Sequence, residues 1–410
     1  MKKWLWTSLI ILGVVVILAI LSPLLLSFVV EHQYHKQVAN WNQSPTIRVN
    51  LTQYHRGWLH SHAELQLNLS HPAFIPSNMV LQQAITQGPL IHLTTTQGQS
   101  NWLFGRALIN STLRSDLGII RAITLVKFNG EILTVLHAPE LHHFNPSSAL
   151  SLQINGLNAF VLLSSDLKKL SGKFYIPQLA LNTAQYKQVA SGIEHTFNLQ
   201  KTASQLYLGD RLIKVATVSW LSPNNRARID FTGLNMTTNS QEQPAQKLTY
   251  ELQVNLHSVN TNGGSYGPQQ LHFTLKDLDI PALLAFGNFL PSHWAENTQN
   301  LQRLLDKGLN FDLRTLNLNT AMGKASMTAK ASWAPQITRS SKGLLTHLQS
   351  AEVHLSIAEA LLSDVMGKFK ILEGGWISSA TLQKFVDNHF TKQTDHYQLD
   401  WILNDPSSAK

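Results

Sequence analysis

In the stretch WLHSHAELQLNL, Leu59, Ala63, Leu65, Leu67 and Leu69 share one set of alternate positions, and His60, His62, Glu64, Gln66 and Asn68 share the other. A period of two marks a strand with one buried face, because successive side chains leave opposite sides of a sheet. The pattern returns in TIRVNL, LTYELQVNLHSV, GLNFDLRTLNL, GKASMTAKASW and SAEVHLSI, joined by Gly, Asn and Pro turns. NWLFGRALINSTL, GIIRAITLVKF, GEILTVLH and LNAFVLL are apolar on both faces, which predicts a first-half sheet covered by a helix or a second sheet. The fold class expected is mainly β (α+β): a long run of antiparallel sheet with a few short helices.

Three helices are legible from their chemistry. In DIPALLAFG, Asp279 is placed to cap and Pro281 fits the first turn. In SIAEALLSDVMG, Ser356 and Glu359 have capping-box spacing and Gly367 closes the segment. Trp294, Thr298, Leu301, Leu304 and Leu305 recur at three and four, predicting an amphipathic helix. The first two segments both run from an alternating strand into an Ala-Leu-Leu stretch, with their caps 77 positions apart, which suggests an internal repeat.

The N-terminus carries a different signal. Trp4 to Val30 is a run of 27 residues without a charged side chain, against about 20 needed to span a bilayer as a helix. It is longer than the roughly 7–15 residue apolar region of a cleaved signal peptide and has no clean small-x-small site. Lys2 and Lys3 precede it and Glu31 follows, so the positive-inside rule keeps residues 1–3 cytoplasmic and the rest outside. The organisation expected is a transmembrane anchor over 4–30, a juxtamembrane linker over 31–45 and an N-terminal β-rich part over 46–238. A loop or boundary over 239–247, where hydrophobicity vanishes, precedes a C-terminal β-rich part over 248–404 and a flexible tail over 405–410.

Composition excludes several functions. There is no cysteine, hence no disulfide, thiolate metal site or thiol nucleophile. The formal charge of +8 is spread along the chain without a basic stripe, so nucleic acid is not an expected partner. Charged residues make up 14%, well under the usual ~25%, and neutral polar side chains carry solubility instead. The nucleophile elbow, zincin, Walker and dinucleotide-binding motifs are all missing from the sequence, and no cofactor is expected. His60, His62 and Glu64 share one strand face, as metal ligands can, but Gln66 and Asn68 continue that face and a solvated surface explains it. Asp277 and Asp279 are two apart, as a general acid/base pair could be; Asp279 is already used as a helix cap.

The segment QYHRGWL reads as a hairpin turn. A two-residue loop would set Val49 and Leu51 against Glu64 and His62. A three-residue loop, His55-Arg56-Gly57, pairs residues 51, 49 and 47 with 61, 63 and 65, so that apolar meets apolar. Gly57 then takes the left-handed position, Tyr54 and Trp58 form a cross-strand aromatic pair, and Arg56 sits at the tip with no structural duty; Arg56, Trp58 and Tyr54 are the candidate interaction residues. These residues carry a resemblance. With YHRGWLHSHAEL (residues 54–65), QGPLIH (87–92), GGSYGPQQLHFTLKDLD (263–279) and HYQLDWILN (396–404), the chain resembles the YdgA-like family of Gram-negative envelope proteins, a domain of unknown function. That family usually has His-Gly-Pro where this chain has Gln87-Gly88-Pro89, and an Asn-Gly-like ending where this chain has Asn404-Asp405-Pro406. The resemblance implies a single-pass inner-membrane protein with a β-rich periplasmic region, and it supplies no reaction or catalytic residue.

The expectation is a non-catalytic interaction or structural protein of the cell envelope, with the inner membrane, lipid or envelope proteins as partners. The alternative is lipid or apolar-ligand binding along a hydrophobic sheet groove.

Overall fold

The structure, a computed structural model, describes residues 47–69, 78–94, 100–145, 150–222, 228–286, 304–335, 348–364 and 388–404, together with Phe28 and residues 31–32, 34–36, 38–39 and 42. Of the expected anchor only Phe28 is among these residues, and the helix expected over 294–305 and the tail 405–410 lie, but for residues 304–305, outside them. Among the described residues no helix is long and apolar enough to cross a membrane. The chain divides into two compact units, Met1–Ile193 and Glu194–Lys410.

The first unit is an antiparallel meander. Its strands are β1 (Ile47–His55), β2 (His60–Leu69), β3 (Asn78–Gln87), β4 (Leu90–Thr94), β5 (Ser100–Phe104), β6 (Ala107–Ser115), β7 (Gly118–Val126), β8 (Ile132–Asn145), β9 (Leu150–Leu163) and β10 (Lys169–Asn182). β4 and β5 make a separate two-stranded hairpin, and the other eight pair in chain order. One row across it reads Leu51, Leu65, Leu81, Leu113, Ile120. Leu65 is fully buried, with Ser61, Ala63 and Ile85 beside it on the same face.

β11 (Lys187–Lys201) runs across the division between the units. The second unit continues with β12 (Tyr207–Leu221), β13 (Arg228–Gln243), β14 (Lys247–Leu256), β15 (Ser258–Thr261), β16 (Gly264–Tyr266), β17 (Gln269–Asp279), α1 (Ile280–Phe286), β18 (Leu309–Thr320), β19 (Gly323–Trp333), β20 (Leu348–Ala358), β21 (Phe390–Lys392) and β22 (His396–Asn404). Its sheet pairs as β12-β13-β14-β17-β18-β19-β20-β22, all antiparallel. Apolar clusters close two corners of it. Leu248, Leu278, Ile280, Leu304 and Leu309 form one at α1, and Ile357, Leu361 and Leu362 form the other at a short helix over 359–364.

Four sequence expectations need correction here. Ile47, Val49 and Leu51 pair with Leu69, Leu67 and Leu65, four residues beyond the expected partners: six residues, 56–61, lie between the closing pair His55 and His62, which shifts the register by five, and the bulge at Thr52 takes back one. An even slip keeps the apolar faces opposed. Tyr54 therefore faces Ala63 instead of Trp58. The segment 239–247 is not a boundary: residues 239–243 finish β13 and pair with β14, and only Pro244–Gln246 turn. Its polar side chains occupy strand positions with polar partners, as where Asn239 donates to Asp210 at 2.5 Å. Finally, Ser356 stays in β20 opposite Gln398 and caps nothing; the helix begins at 359, whose N–H goes to the Asp395 carbonyl. Asp279 does cap, its Oδ1 accepting from the Ala282 N–H at 3.0 Å.

Candidate functional site

Arg56 has two partners at the hairpin tip. Its guanidinium meets Glu31 at 2.9 Å and lies 3.9 Å above the Phe28 ring. Near it Tyr34, His35 and Asn42 lie against the sheet. The Tyr34 ring stands 5.5 Å from Tyr54, His35 lies 5.9 Å from the same ring, and the Tyr34 hydroxyl donates to Gln83 Oε1. Burial holds the Tyr34 and Tyr54 phenols above the ordinary tyrosine range. The Asn42 amide donates to the Val49 carbonyl at 2.8 Å and accepts from the Val49 N–H at 2.7 Å, standing in for a strand neighbour on β1. Residues 31, 32, 34–36, 38 and 39 are helical, so much of the expected linker is built structure.

Gly57 has a geometric duty different from the one expected. A Cβ there would lie 2.0 Å from the His60 carbonyl oxygen, so close approach demands glycine, with no left-handed backbone involved. Trp58 and Leu59 point outward. His60 and His62 are exposed on the polar face, where His60 Nδ1 contacts Thr86 Oγ1 at 3.3 Å and Glu64 accepts from Gln82 at 3.0 Å. Among the described residues no group of three His, Asp or Glu side chains is disposed to hold a metal ion.

The second unit's sheet separates apolar from polar side chains across its whole width. Register places Ile213, Met236, Val254, Leu271, Leu316, Met327, Leu355 and Leu399 in one row over eight strands. A second row on that face runs Leu252, Phe273, Leu313, Ala329, Val353, Trp401. One residue along each strand from the first row lies Lys214, Asn235, Asn255, Gln270, Asn317, Ser326, Ser356 and Gln398, without a single apolar member. In the first apolar row only Leu399 is fully buried and the other seven are half-buried. The two corner clusters cover the flanks of this face, the second reaching Leu355 of the first row, and in the second row Leu313 and Ala329 are buried; the other members of the first row lie outside both clusters.

The polar face is a network of ion pairs that sequence alone did not disclose. His354 reaches Asp400 Oδ1 with Nδ1 at 2.6 Å and Glu352 Oε1 with Nε2 at 2.9 Å. Both ring nitrogens meet acceptors, which requires the imidazolium. Asp400 first, then Glu352, raise the His354 pKa above the usual imidazole range, and His354 holds both carboxylates below theirs. A bulge in β18 at Arg314–Thr315 aims Arg314 at Glu251 (3.4 Å) and Asp312 (3.6 Å), and His272 meets Glu251 at 2.6 Å. Lysine, arginine and carboxylate side chains also line a cavity of about 330 Å³ between Asp312, Lys330 and Glu352. Glu352 and His354 are two apart in EVHL and so share a face in the sequence, but Asp400 joins them only through register. Of the other residues expected to cap helices, Asp279 serves α1 and Glu359 pairs with Lys392 at 2.5 Å.

Residues 1–403 match a family described as bacterial protein of unknown function, DUF945. The chain belongs to that family. No curated protein and no solved structure matches it.

Proposed function

We propose that this DUF945 protein is a bacterial inner-membrane protein of the YdgA-like kind, anchored through residues 4–30 with its bulk in the periplasm, which holds the acyl chains of a lipid against the apolar face of its C-terminal sheet. The observation that carries this is the eight-strand row from Ile213 to Leu399, seven of whose members are half-buried. An apolar side chain beneath a packed second layer is normally almost fully buried, and each such burial contributes roughly 1.5–3 kcal/mol. Seven inter-strand steps of ~4.8 Å make the row about 34 Å long. One leaflet's hydrocarbon is roughly 15 Å deep, half a bilayer core, so an acyl chain fits along the row. The ion-paired opposite face keeps the same strands soluble and leaves binding to one side.

The test is photocrosslinking of the full chain in cells. A photoreactive benzoylphenylalanine at position 316 or 327 should capture phospholipid, and the same group at 317 or 326, one residue away and on the other face, should not. Equal capture on both faces, or none at 316 and 327, defeats the reading.

A second reading, interaction with an envelope protein, is favoured by β22. β21 covers only residues 397–399 of its outer side, and Ile402 beyond them is 60% exposed. Such an edge accepts an added strand. Capture of a protein, and not lipid, at position 402 would support it.

A further inference from the structure

The ends of the first unit's strands are not alike. Register gathers Gln87, Ala107, Val126, Ile132, Leu163 and Leu170 into one terminal row, and the Gln87 N–H reaches the Leu59 carbonyl at 2.8 Å. The turns beyond that row therefore lie at a single end of the sheet, together with the hairpin β4–β5, which leaves it after Gln87 and returns at Ala107. At this end Trp58, Leu59, Trp102, Phe104, Phe128 and Leu167 are all exposed, Phe104 by 72% and Trp102 by 61%. Trp102 and Phe104 alternate in β5 and so share one face of the hairpin, while Ile91 of β4 is fully buried. The described turns at the opposite end, 116–117 and 183–186, carry no exposed large apolar side chain; Ile119 and Phe144, both within strands, are the exposed ones nearest to it.

The same end holds Arg56, and Arg56 holds Phe28 and Glu31. Phe28 is the third residue from the end of the charge-free run Trp4 to Val30. Phe28 and Glu31 are thus held at the same end of the sheet as the exposed aromatic side chains. Exposed Lys168 and Lys169 follow Leu167, which exposed Asp166 precedes, and exposed Arg106 lies two residues from Phe104. Tryptophan and phenylalanine beside lysine and arginine is the side-chain chemistry of a membrane-water interface, where rings sit at headgroup depth and cations meet phosphate.

We propose that this end of the N-terminal sheet rests on the phospholipid surface of the membrane that holds the anchor, with Trp102 and Phe104 of the β4–β5 hairpin inserted at headgroup depth. This rests on the anchor reading of residues 4–30, and one experiment separates the two. The chain has no cysteine, so single-cysteine variants of the full protein label cleanly with an environment-sensitive fluorophore. F104C and L167C report on the turn end, Q185C on the opposite end, and V16C on the span. Each is placed in nanodiscs of phosphatidylethanolamine and phosphatidylglycerol, with and without lipids brominated on their acyl chains near the headgroup.

The expected result is loss of fluorescence at V16C, F104C and L167C and none at Q185C. Quenching of V16C with F104C and L167C as bright as Q185C overturns the proposal and leaves the anchor standing. An unquenched V16C removes the anchor, and the proposal with it. All three ectodomain sites are exposed positions, and an unchanged thermal midpoint for each variant shows that the label reports on an intact fold.

Discussion

Arg56 and Glu31 are joined at 2.9 Å across 25 residues of chain, at the only turn of the β1–β2 hairpin. Both side chains are partly exposed, so the ion pair contributes about 0–1 kcal/mol, and the Phe28 ring beneath the guanidinium adds roughly 0.5–1 kcal/mol. Arg56→Glu replaces attraction by repulsion and should release the helical segment without unfolding the sheet. Amide exchange over residues 31–39 should rise while the thermal midpoint moves by only a few degrees. The double swap Glu31→Arg with Arg56→Glu should restore protection. If R56E leaves exchange over 31–39 unchanged, the tip does not clamp that segment.

Gly57→Ala tests close approach at the same turn. The added methyl would sit 2.0 Å from the His60 carbonyl oxygen, and backbone must give. Overpacking of this kind costs roughly 1–3 kcal/mol, whereas Trp58→Ala, at an outward-pointing neighbour, should cost little. Chemical denaturation of the two variants side by side gives the comparison, and equal stabilities would dissociate the glycine from the turn.

The strands were legible because alternation is local, and the rows were not because register is a property of two strands at once. HSHAELQL already assigns Leu65 to a face; nothing in it says that Leu51, and not Ile47, stands opposite. The long turn between His55 and His62 moves that pairing by five residues and the bulge at Thr52 takes back one. The same limit hid His354 from Asp400. Loss of hydrophobicity over 239–247 imitated a linker because the end of β13 is polar on both faces, Ser240 accepting from the Gly209 N–H and Glu242 from Ser204 on one and Asn239 donating to Asp210 on the other. Ser356 imitated a cap for a related reason, being a polar-face residue between Leu355 and Ile357. Asp279 was legible because its capping bond spans three residues of one segment.

Leucines on the two sheets should respond unequally to truncation. Leu65 is fully buried among Ser61, Ala63 and Ile85, so Leu65→Ala should cost about 3–5 kcal/mol. Leu316, half-buried in the central apolar row, should cost less than half of that. Urea unfolding followed by site-resolved exchange in each unit measures both. A cost at Leu316 as large as at Leu65 would mean that its face is filled by protein, which would remove the space the lipid reading requires.

His354 predicts a pH window for the outer edge of the C-terminal sheet. Its pKa is raised by Asp400 and Glu352, so its contribution is complete below the ordinary imidazole value of about 6.5 and is lost as pH rises through the raised one. Asp400 and Glu352 have lowered pKa values, so theirs is present above about 4 and is lost as pH falls through the lowered ones. The β20–β22 pairing should therefore be tightest in mildly acidic solution. Intrinsic-rate-corrected exchange of the β22 amides should be slower at pH 5.5 than at pH 8.5, two values chosen to straddle the imidazole transition, and His354→Gln should abolish the difference. A His354 Cε1 proton that titrates at or below the ordinary imidazole value would show that the two carboxylates do not hold the ring charged.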